Sequence, residues 1–87
     1  MTEKELNTQN RQVQYKLIGV RLENLALTYK TLQREEGQQE TLLRIQNRMN
    51  EIIDGMDWDQ VQMCLSIADV TKKNRTIINN LLKEKDE

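Results

Sequence analysis

The sequence has 87 residues, 13 basic and 14 acidic side chains and a formal charge of −1, with no His, Phe or Pro and a single Cys. A chain this short forms one domain and buries only roughly 60–65% of the surface its unfolded form exposes, so its own core is thin. Near-neutral charge argues against a dedicated nucleic-acid binder, and missing histidine removes the commonest general base. The lone Cys64 excludes an internal disulfide and suits a reducing compartment.

No stretch approaches the ~20 apolar residues of a membrane helix, and the N-terminus carries no run of signal-peptide type. The expectation is a cytoplasmic protein with no membrane partner, which makes the sequon Asn74-Arg75-Thr76 accidental. Trp58, Tyr15 and Tyr29 are the only aromatic residues. Abundant Leu, Gln, Glu, Lys and Arg favour helix over sheet, so the fold class is all-α. The wealth of Asn, Gln, Lys and Ile also suits a low-GC genome such as a phage or plasmid. By segment, residues 1–35 carry six positive and four negative side chains, 36–65 two and six, and 66–87 five and four. A basic first helix thus faces an acidic middle, as an antiparallel hairpin would use.

Thr2-Glu3-Lys4-Glu5 fits a capping box, and the first helix is expected over about 3–35. Residues 7–14 are polar and include poor helix formers, which weakens that end. From there to Leu32 two apolar rows run together. Tyr15, Ile18, Leu22, Leu25, Tyr29 and Leu32 form one; Val13, Leu17, Val20, Asn24 and Leu27 form the other, about 150° away. A helix apolar on two sides needs two neighbours. Gly19 is the one weak residue between them and marks either a close helix approach or nothing.

The heptad phase slips at Glu35-Glu36-Gly37-Gln38-Gln39, where Gly37 suits a turn; one long helix with a skip is the alternative. A second helix over about 39–54 puts Leu42, Ile45, Met49, Ile52 and Ile53 on one face and polar residues opposite. Gly55 then suits a C-terminal cap. Asp57 and Gln60 form a capping box, flanked by Met56 and Val61 as a hydrophobic staple, so a third helix starts at Trp58. It is expected to run over about 58–83 with Met63, Ile67, Val70, Asn74, Ile77 and Leu81 in one row. A break is allowed in the polar run 71–76, with Asn74 capping a fourth helix. The charged tail 84–87 is expected to be disordered.

No constellation supports catalysis: no His is present to activate Cys64, and none of the three glycines sits in a phosphate-cradling loop. Asp54, Asp57 and Asp59 lack the spacing of a calcium loop; capping and the helix dipole explain them better than a metal does. No cofactor, metal or small-molecule substrate is expected. Asn24 and Asn74 each interrupt an apolar row, where a buried Asn can set register and oligomer state. Met49, Met56 and Met63 suit core filling or an adaptable partner surface. Trp58 suits either a lid on the core or an anchor for a partner.

The expected architecture is an antiparallel helical hairpin plus a third helix in a small bundle with coiled-coil-like packing. Its apolar faces outnumber those a three-helix monomer hides, which favours a homodimer. The expected function is protein–protein interaction by an oligomeric adaptor, regulator or inhibitor, with an interface of Val13, Leu17, Val20, Asn24, Leu27 and Trp58. The alternative is DNA binding. Residues 67–82 resemble a degenerate helix-turn-helix unit, with Ala68 at the crossing and Ile78 and Leu81 inward. The resemblance implies nucleic-acid contacts from Lys72, Lys73, Arg75, Thr76, Asn79 and Asn80. Lys72 stands where that unit usually has its turn glycine, and Lys73 where it has an apolar residue.

Overall fold

Four helices follow one another along the chain: α1 (Glu3–Gln33), α2 (Gln39–Ile52), α3 (Trp58–Ile67) and α4 (Lys72–Lys83). The computed structural model describes the backbone of residues 3–83 and the side chains of residues 9–82. The expected cap at Thr2 and the tail 84–87 lie outside the described residues, which include no strand. None of the described helices is long and apolar enough to cross a membrane.

α1 is the spine, and the other three helices pack on it. At 1.5 Å per residue its 31 residues span about 46 Å, much of the molecule's longest dimension of 53 Å. The radius of gyration is 14.4 Å, where a compact domain of this length has about 12 Å. The excess comes from the N-terminal end of α1, whose residues from Gln9 to Gln14 are all exposed.

Two hinges anticipated from the sequence are present. Glu35 N–H donates to Leu32 O at 2.9 Å as α1 ends, and Gly37 takes φ +79°, so α2 folds back along α1. Gly55, at φ +82°, turns the chain after α2. Asp57 Oδ1 accepts from Gln60 N–H at 2.8 Å while Gln60 Oε1 accepts from Asp57 N–H at 3.0 Å, completing the expected capping box at the start of α3. The helices are shorter than the pattern suggests. α1 stops at Gln33 rather than about 35, and α2 at Ile52 rather than about 54.

The expected helix over 58–83 is corrected to its split alternative: the chain breaks after Ile67 and restarts at Lys72, just ahead of where the polar run 71–76 allowed a break. Val70 N–H donates to Leu65 O at 3.0 Å and Asp69 N–H to Ser66 O at 3.1 Å, with Asp69 left-handed at φ 56°. These are the two bonds of a Schellman ending. The physical reason is burial, since the turn drops Val70 into the core, where a straight helix would carry the polar run after it across the same surface. Asn74 is not the cap of the restarted helix. Thr71 Oγ1 accepts from Asn74 N–H at 3.2 Å, and the Asn74 side chain instead donates to Glu23 Oε2 on α1 at 3.1 Å.

The core runs through the inner row of α1. Leu22 and Ala26 are buried there against Met49 of α2, Val61 and Leu65 of α3, and Val70, Ile78, Leu81 and Leu82 of the turn and α4. Ile18, Leu25 and Tyr29 flank them, as the first apolar row requires. Gly19 is the point of closest approach. A Cβ added there would lie 2.5 Å from Cys64 O and 2.6 Å from Ala68 Cβ, so only glycine lets the backbones of α1 and α3 come this near.

Candidate functional site

The second row of α1 lies outside the core, with its Val13 end beside Ile67 of α3. Val13 is 58% exposed, Leu17 52%, Val20 36% and Leu27 40%, and Asn24 between them is exposed as well. α3 crosses α1 at Gly19, on the flank between the two rows, and leaves this row exposed. From Val13 to Leu27 the row measures about 21 Å along the axis. At its lower end Thr28 Oγ1 donates to Asn24 O at 2.8 Å and Thr31 Oγ1 to Leu27 O at 3.0 Å. Both hydroxyls have a bonding partner inside the helix, so covering them costs less than covering free ones. At the upper end Val13, Gln9, Gln12 and Lys16 meet Ile67 of α3 in a shallow groove.

Trp58 does not join this row. It is 37% exposed at the first position of α3 and lines a separate cavity at the far end of the bundle. Leu43 of α2, to which the sequence pattern assigns no surface role, is exposed. A missed signal was available, since Leu43 follows the inward Leu42 and lies off the 42–45–49–52 face.

The α3–turn–α4 segment has the order of a helix-turn-helix, with Ile78 and Leu81 inward as the resemblance requires. Its polar face is largely engaged within the chain. Arg75 Nη2 donates to Ser66 Oγ at 2.8 Å, and Asn79 and Gln62 exchange side-chain hydrogen bonds of 2.9 and 3.4 Å. Thr76 Oγ1 donates to Lys72 O at 3.0 Å. Lys72, Lys73 and Asn80 face solvent.

Chemistry at a nucleophile finds little here. Cys64 is fully buried, and desolvation pushes its thiol above the usual thiol range, which disfavours the reactive thiolate. Asp57 is occupied in its capping box, and no group of three or more potential metal-ligating side chains comes together among the described residues. The exposed charged pairs, Arg44–Glu40 at 2.9 Å and Arg48–Glu51 at 3.3 Å, each lie within α2 and support it only weakly. Comparison with known proteins finds no matching family model, no matching curated protein and no matching solved structure.

Proposed function

We propose that this chain works without catalysis, as a protein–protein interaction module that self-associates through the outer row of α1. The observation that carries the proposal is the exposed row Val13, Leu17, Val20 and Leu27, interrupted by Asn24, on a helix whose opposite face packs into the core.

Charge and register favour a second copy as the occupant. A formal charge of −1 adds almost no long-range repulsion between copies. In such a pairing Asn24 sits mid-row, where a polar partner on the other copy would fix the register. The dimer then presents Leu43 and the α4 face outward for a regulatory or adaptor role.

DNA binding by α4 is the second reading, supported by the exposed pair Lys72 and Lys73 beside Asn80. The engagement of Arg75 and Asn79 inside the chain weighs against it.

Leu17→Glu with Val20→Glu tests the first reading. Light scattering should report a dimer for the parent chain and a monomer for the variant, with helical circular dichroism unchanged. A parent chain that is monomeric at micromolar concentration refutes self-association. Loss of helix in the variant would mean that the row packs inside the monomer.

A further inference from the structure

Where the chain turns from α2 into α3, the bundle ends in a cavity of about 260 Å³. Ile53, Met56, Val61 and Leu82 line it together with Trp58; Asp54 and Gly55 stand at the turn beside it, and Asn50 supplies a side chain from α2. Asn50 is only 6% exposed. Its Nδ2 donates to Gln46 O at 2.9 Å, but its buried Oδ1 has no hydrogen-bond partner. Exchanging the amide's ends does not cure this, because an oxygen placed toward Gln46 O would set two acceptors against each other.

A buried amide oxygen without a donor is costly in a folded protein, and such an exception calls for a physical account. The surrounding turn leaves room for one. Gly55 has nothing within 4 Å of where a Cβ would stand, and its φ of +82° holds the chain in an open turn beside the cavity. For scale, a closed apolar cavity of about 150 Å³ is enough to hold benzene. The space here is larger and partly open to solvent, lined by aliphatic, thioether and indole surface together with Asn50 and Asp54. Apolar surface with a few orienting polar groups is the general form of a small-molecule site.

We propose that this cavity is a binding site for a small, one-ring or short-branched apolar molecule carrying a single O–H or N–H donor, which Asn50 Oδ1 accepts. The apolar part stacks against Trp58 and displaces solvent from Met56, Val61 and Leu82. This site is remote in the sequence from the outer row of α1 and does not depend on self-association.

Phenol and toluene, which differ chiefly in the hydroxyl, are the probes. Trp58 is the chain's only tryptophan, so its emission reports the cavity directly. Phenol should shift Trp58 emission saturably and move the Asn50 side-chain amide resonances in the parent chain. Toluene should bind about fivefold more weakly, the worth of one hydrogen bond. Asn50→Leu, close to Asn in size, should abolish that preference. The parent-chain resonances decide the matter by themselves where the variant does not fold. No saturable change at Trp58 and Asn50 with either probe at millimolar concentration overturns the proposal, leaving a cavity that holds water only. Equal affinity for the two probes in the parent chain overturns it as well.

Discussion

Gly19 is where a single missing methyl group decides how two helices meet. Replacing it with Ala raises intrinsic helix propensity by about 1 kcal/mol, yet the new Cβ meets the Cys64 carbonyl at 2.5 Å and Ala68 Cβ at 2.6 Å. Backbone and a side-chain stub cannot swing aside, so overpacking of about 1–3 kcal/mol should win. Gly19→Ala is therefore expected to lower the urea midpoint, and Ala68→Gly in the same chain to restore only part of the loss, since Cys64 O remains. A midpoint equal to the parent's would show that α3 is not seated at this crossing. The sequence marked Gly19 as unusual but named no neighbour for it, because a contact between positions 19 and 64 has no local signature. Ala26, buried beside Leu22, was passed over for a related reason: Ala suits any helix position and carries no pattern. Asn50 was equally silent, since its burial follows from the turn that closes over it.

At the scale of elements, legibility followed the strength of local punctuation. Gly37, Gly55 and the Asp57–Gln60 pair are chemical signals that act within a few residues, and each marks a boundary in the structure. The break between α3 and α4 has no glycine to announce it. Asp69 adopts φ 56° in its place, held by the two hydrogen bonds that end α3, so the sequence pattern admits a break only later, in the polar run 71–76, as the alternative to an unbroken helix. A left-handed L-residue costs roughly 1–2 kcal/mol, less for Asp than for bulkier side chains. Asp69→Gly should therefore raise the urea midpoint, through a stabilisation of about 0.5–1 kcal/mol once glycine's greater freedom in the unfolded chain is subtracted. Asp69→Val should lower it, because a β-branched residue fits the left-handed region worst. The opposite order, Val above Gly, is what a continuous helix over 58–83 would give. The same turn also limits α4 as a reader of DNA, for the tight approach that buries Val70 brings Gln62 to Asn79 and Ser66 to Arg75.

For the whole molecule the governing fact is an imbalance: α1 has two apolar rows, and three short helices cover one of them. The two rows were legible because they repeat every three or four residues over many turns. Which row turns inward was not, as that depends on Gly19 admitting α3 on one side only. Self-association through the outer row has a thermodynamic consequence that distinguishes it from simple exposure. If two folded chains share an interface, unfolding releases two molecules from one, and mass action ties stability to concentration. Each tenfold rise in concentration favours the dimer by about 1.4 kcal/mol, or roughly 0.7 kcal/mol per chain. In a domain of this size 1 kcal/mol moves the thermal midpoint by about 4–8 °C, so each tenfold rise should add about 3–6 °C. Leu17→Glu with Val20→Glu should flatten that dependence while the chain still melts cooperatively, because the inner row that builds the core is untouched. A parent midpoint that stays constant from about 5 to 500 μM would mean that unfolding involves no dimer. The outer row would then belong to a different protein, and only the parent's failure to self-associate would have revealed it.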